Sequence, residues 1–138
     1  MPSWEHFPHE ADIGVRGRGE SPDIAFEQAA LGLTAVVTDP ALVRNDQQVA
    51  ISCEAPNLDV LLVDWLNTLI YEMTTRSVLF GRFRVKIDGL RLSAQAEGEA
   101  VDRQRHEPVV EPKGATFTEL RVNRDEEGQW VAQCVVDV

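Results

Sequence analysis

Residues 82–96 read Arg82-Phe83-Arg84-Val85-Lys86-Ile87-Asp88-Gly89-Leu90-Arg91-Leu92-Ser93-Ala94-Gln95-Ala96. Apolar and polar residues alternate on both sides of Asp88-Gly89, with Phe83, Val85 and Ile87 on one arm and Leu90, Leu92, Ala94 and Ala96 on the other. Period-two alternation is the mark of a strand with one buried face, and Asp-Gly between two such runs is a strong hairpin signal. An antiparallel hairpin with one apolar face needs something to cover that face. The preceding residues supply it.

Leu58, Leu61, Leu62, Trp65, Leu66, Leu69, Ile70 and Met73 recur at helical spacing, with Asn57 placed to cap and Asp59 in the first turn. So wide a stripe suits packing on a sheet; a groove for a partner protein is the other use of such a face. An earlier helix begins at Ser21-Pro22-Asp23, where Ser caps, Pro suits the first helical position and Asp favours the positive end of the dipole. Ala25, Phe26, Ala29, Ala30, Leu33, Val36 and Val37 mark its apolar face, and Thr38-Asp39-Pro40 ends it. Gln48–Glu54 reads as a short strand, and a strand starts near Asp12. Thr116–Asn123 and Gln129–Val138 read as a second hairpin across Arg124–Gly128. The expected class is α+β, with two amphipathic helices on mainly antiparallel sheet, in a single domain spanning 1–138. Glu99–Pro112 is polar, contains proline and fits no element; a loop of that length is often functional.

Thirteen basic against 23 acidic residues give a net charge of −10, which disfavours strong direct binding to nucleic acid. No apolar run approaches the roughly 20 residues of a membrane span. Met1–His6 lacks the basic and apolar regions of a secretory signal. Cys53 and Cys134 have no motif spacing and read as reduced, buried thiols of a cytoplasmic protein. Phosphate-loop, dinucleotide-binding, nucleophile-elbow and paired-cysteine zinc signatures are missing. His6 and His9 flank Pro8, which argues against a helical zinc pair and for loop histidines.

Asp12 and Asp137 each sit beside apolar strand residues, where a carboxylate needs a partner, a cation or a route to water. Together with the terminal carboxylate of Val138 they would offer hard oxygen donors suited to Ca²⁺, Mg²⁺ or Mn²⁺. The alternative is that both simply end their strands in solvent.

His9-Glu10-Ala11-Asp12-Ile13-Gly14-Val15 resembles the opening motif of the archease family, His-Thr-Ala-Asp-Ile-Gly. The resemblance continues through Gly19, Ala25-Phe26, Ala29-Ala30, Thr38-Asp39 and Leu61-Leu62-Val63-Asp64-Trp65-Leu66-Asn67. It then takes in Gly98-Glu99, Asp102, Arg105-His106, Lys113, Trp130 and the closing Asp137-Val138. Glu10 stands for the family's Thr, and Phe117 and Thr118 stand for its Tyr and His, so the role of that histidine does not transfer. The resemblance implies a helix-covered α+β sandwich and a non-catalytic protein cofactor. Its partner would be an RtcB-type RNA ligase, which uses GTP and Mn²⁺ in tRNA splicing and RNA repair. It further implies a divalent metal on Asp12, Asp137 and an oxygen of Val138, Ca²⁺ being the expected ion in a crystal and Mg²⁺ or Mn²⁺ alternatives. His9 and Glu10 would stand behind the metal. Glu99, Asp102, Arg105, His106 and Lys113 would form a functional loop, His106 and Lys113 either holding it or touching nucleotide phosphate. Two other readings remain open: a small metal-dependent phosphohydrolase, and a chaperone-like interaction module.

Overall fold

The structure is a computed structural model describing residues 1–138. Both expected helices form. In α1 (Pro22–Val37) the Ser21 side chain accepts from the Ile24 N–H, and in α2 (Leu58–Arg76) that of Asn57 accepts from Val60 N–H. Eight strands make two sheets, and every pairing is antiparallel. The three-stranded sheet has the order β3 (Gln47–Glu54), β5 (Arg91–Ala100), β4 (Val78–Asp88). Its hairpin closes with Asp88 opposite Arg91 and Gly89 at φ 64°, the left-handed conformation the Asp-Gly reading requires.

The five-stranded sheet runs β1 (Ser3–His9), β2 (Asp12–Gly19), β8 (Trp130–Asp137). Both β6 (Gly114–Ala115) and β7 (Arg121–Arg124) pair with β8. At two places the sheet departs from the sequence-based expectation. His6 and His9 lie on β1, not in a loop, because Pro8 is tolerated on an edge strand. His6 Nε2 is 2.8 Å from the Gly32 carbonyl oxygen of α1. The run Thr116–Asn123 is not one strand: a turn at Phe117–Glu119, with Glu119 at φ 55°, separates β6 from β7.

Both long helices contact strands of both sheets. One core of 30 buried residues therefore draws on the helices and on both sheets. Trp65 is fully buried, donates to the Phe26 carbonyl at 3.1 Å, and meets Phe83 edge-on at 5.9 Å. Helix α1 also closes the outer edge of β4. Glu27 accepts from the Val85 N–H at 2.8 Å and Asp23 from the Ile87 N–H at 3.2 Å, so these edge donors are not left open to another chain. Burial pushes the Glu27 carboxyl above its ordinary range.

α1 returns antiparallel to β2 at close range. A side chain on Gly19 would strike Ile24, one on Gly17 would strike the backbone of Ala25 and Ala29, and Gly32 sits by Val15. Sixteen helical residues span about 24 Å and eight strand residues about 26 Å. The C-terminus of α1 thus comes back level with Asp12, and this geometry places the site.

Candidate functional site where the first and last strands meet

Asp12 opens β2 and Asp137 closes β8. The β2–β8 ladder begins with Ile13 opposite Val136, so Asp12 and Asp137 occupy the next step of the same register. Residues opposite each other on antiparallel strands point to one face. The Asp12 carboxylate also accepts from the backbone N–H of Val138 at 3.2 Å, across 126 residues of sequence. Asp137 is exposed and Asp12 half-buried. His9 lies opposite Asp12 on β1, extending the row. Glu10 is exposed in the β1–β2 turn at φ 54°. Lys113 donates its backbone N–H to the Asp137 carbonyl at 2.8 Å, while the residue itself is exposed. No group of three or more His, Cys, Asp or Glu side chains is arranged to hold a metal ion. His9 and Glu10 therefore do not join the two aspartates in a side-chain cage. Two carboxylates beside a backbone end form an open, oxygen-only donor set. This fits a hard cation that keeps much of its water.

The stretch 99–112 differs from the expected free loop. Glu99 lies on β5, and Arg103–His106 form one helical turn, α3. Asp102 caps that turn, accepting from Gln104 and Arg105 N–H. The buried Glu99 carboxylate gathers three donors: the Arg44 N–H at 2.6 Å, His106 Nε2 at 3.1 Å and the Arg105 guanidinium. Arg105 chiefly, with Arg44 and His106, holds the Glu99 carboxyl down at about 2 against the opposing effect of burial.

The His106 tautomer follows from its partners. The Asp102 N–H can only donate, so Nδ1, 2.9 Å away, accepts. Nε2 then carries the proton and donates to Glu99. With the residue 2% exposed and both nitrogens engaged, His106 has no atom free for a nucleotide phosphate; it holds the segment. Its carbonyl accepts from Thr38 Oγ1 at 2.5 Å, just beyond α1, and the Val109 N–H reaches the Val37 carbonyl at 2.9 Å. The chain from Glu99 to Lys113 is thus a strap. It is pinned at the end of α1 and delivered to Asp137, at the end of the molecule that carries Asp12.

Sequence reading missed a row on the same face of the sheet: Glu5, Arg16, Gln133 and Arg121 stand opposite one another across β1, β2, β8 and β7. The available signal was the alternation of Arg16 and Arg18 with the glycines of β2. Arg16 and Arg18 share one oxygen of Glu5, at 3.0 and 2.6 Å, and hold its carboxyl below the usual range. Cys53 and Cys134 are unpaired. Burial pushes the Cys134 thiol up to about 12 and also raises that of Cys53, which disfavours the thiolate needed for nucleophilic or metal chemistry. No helix is long and apolar enough to cross a membrane.

Two antiparallel sheets joined through two helices make this a small α+β protein. The archease protein family model matches residues 4–138. The protein archease of Thermococcus gammatolerans is 39% identical over the full length of both chains, and that of Pyrococcus furiosus 37%. The solution structure of Methanobacterium thermoautotrophicum protein 1598 superposes with a TM-score of 0.85 at 34% identity, covering 99% of each chain. A crystal structure described as "an archease, possible chaperone", from Thermotoga maritima, shares the fold with a TM-score of 0.59 at 18% identity, over 97% of this chain and 96% of that one. The chain belongs to the archease family.

Proposed function

We propose that this protein is a non-catalytic cofactor of an RtcB-type, GTP-dependent RNA ligase, promoting its guanylylation and multiple turnover in the cytoplasm. The observation that carries this reading is the meeting of Asp12 with the chain's last residues, at the end where the Glu99–Lys113 strap is delivered. Asp12, Asp137 and a backbone oxygen of Val138 would hold a divalent cation, Ca²⁺, Mg²⁺ or Mn²⁺. Such an ion supplies charge neutralisation to phosphates brought near it. A ligase that binds RNA and GTP must present cationic surface, towards which a chain of net charge −10 is steered.

The test is stimulation of the purified cognate ligase. Asp12→Asn and Asp137→Asn are each expected to lower that stimulation at least tenfold, and to remove any rise in melting temperature caused by divalent ions, with circular dichroism unchanged. Full stimulation by both variants would refute the reading. The name given to the Thermotoga maritima protein favours a second one. Suppressed aggregation of unrelated clients, without ligase stimulation, would support a chaperone; nucleotide hydrolysis would support a phosphohydrolase.

A further inference from the structure

The face of the five-stranded sheet turned away from α1 carries, about four residues or 13 Å along β2 from Asp12, a concentration of positive charge that the acidic composition conceals. Gly17 directs its missing side chain at α1, so its neighbours Arg16 and Arg18 point away from the helix, on the face that also holds Glu5 and Gln133. Arg121 reaches the same place from β7, opposite Gln133. Three guanidinium groups face one carboxylate and one neutral amide, a local charge of +2 (3 − 1) in a chain of −10.

The arginines are held in place before any ligand arrives. Gln133 is only 5% exposed, and its Oε1 accepts from Arg16 Nε at 2.7 Å and from Arg121 Nη2 at 3.4 Å. Its amide nitrogen donates to the Glu119 carbonyl at 3.0 Å, so the amide cannot flip away. The Arg16 guanidinium also lies 4.6 Å over the Phe7 ring. Three arginines carry 15 N–H donors, five each. Four protein hydrogen bonds use them here. The Arg16 and Arg18 side chains remain 22% and 34% exposed. A clamp between strands needs one arginine on Glu5. Two on a single carboxylate oxygen, with a third beside them on a buried amide, leave charge and donors in surplus, directed outward.

We propose that Arg16, Arg18 and Arg121 form a binding site for a phosphate monoester. The planar guanidinium fork pairs bidentately with two oxygens of a phosphate, and a monoester carries about −1.5 to −2 at neutral pH, which matches the local +2. The monoester belongs either to a free nucleotide or to the end of a polynucleotide. Neither a partner protein nor a metal is required, so the site stands or falls apart from the ligase reading.

The experiment is a titration of the full chain with inorganic phosphate, followed on the Arg Nε–H and Gln133 side-chain amide signals by ¹H–¹⁵N correlation. Saturable shifts at Arg16 and Gln133 are expected. Arg18→Gln and Arg121→Gln, which leave the Arg16–Gln133–Glu5 contacts in place, should each weaken binding at least fivefold. Glu5→Gln should tighten it several-fold, since it removes the competing charge. A purely structural clamp predicts the opposite: no saturation, or no effect of Arg18→Gln and Arg121→Gln, or binding lost in Glu5→Gln while the fold persists. Any of these overturns the proposal. Adenosine monophosphate and short oligoribonucleotides with 5′-phosphate or 5′-hydroxyl ends then separate the sources. The mononucleotide binding as tightly as the phosphorylated oligonucleotide assigns a free ligand. A tenfold preference for the phosphorylated over the hydroxyl oligonucleotide, with the mononucleotide weaker, assigns a strand end. Equal binding of both oligonucleotides, each tighter than phosphate, shows a general polyanion surface and refutes a monoester site.

Discussion

Glu99→Ala is expected to lower the unfolding free energy by about 2–3 kcal/mol, because it leaves a buried imidazole N–H and two further donors without their acceptor. The Arg105 guanidinium, the His106 Nε2–H and the Arg44 N–H would all lose their common acceptor. The loss should be read by urea unfolding at pH 7. The same carboxylate predicts an acid slope. Its folded-state pKa of about 2 lies below the ordinary 4.5. A depressed carboxylate contributes stability that is complete above the unfolded value and is lost as pH falls through the folded one, so the window runs from about 4.5 down to about 2. Glu99→Gln should flatten this part of the stability profile while keeping an acceptor in place. If wild type and Glu99→Gln lose stability in parallel between pH 5 and 2, the carboxylate is not the anchor described. Loosening of the strap should also appear as faster amide exchange at Val109 and Lys113, whose N–H groups tie it to α1 and β8.

Gly17→Ala should cost about 3 kcal/mol, at the upper end of ordinary overpacking. The added Cβ would stand 2.2 Å from the Ala25 carbonyl oxygen and 2.3 Å from the Ala29 nitrogen. Both are helix backbone, so no rotamer change relieves the clash and α1 itself must move off the sheet. Gly19→Ala is a milder neighbour, since its nearest contacts are side-chain atoms of Ile24. Strand preference alone predicts the opposite sign for Gly17, because replacing a strand glycine by alanine usually gains roughly 0.5–1 kcal/mol. Thermal unfolding decides between them: a raised melting temperature in Gly17→Ala would mean that α1 does not approach β2 as closely as described.

The contrast at Gly17 shows where sequence reading stops. Ser21 and Asn57 cap their helices, the apolar stripes set which face is buried, and Asp88-Gly89 turns its hairpin. These are effects of neighbouring residues on backbone torsion and periodicity, so the chain states them locally. The order of family motifs likewise singles out Asp12, Asp137 and the Glu99–Lys113 stretch along the chain. Tertiary structure alone decided the rest. β1 carries Pro8 and no clean alternation, and becomes a strand only because β2 offers it an edge. Glu99 read as loop because a charged residue ending an apolar strand has no local sign of the Arg105, His106 and Arg44 donors that bury it. Asp12 meets Val138 across 126 residues, and Arg16 meets Gln133 across 117, through a sheet order that no local pattern encodes. A strand arginine facing water and one locked on a buried glutamine look the same in sequence. What distinguishes them is the partner that long-range pairing brings alongside.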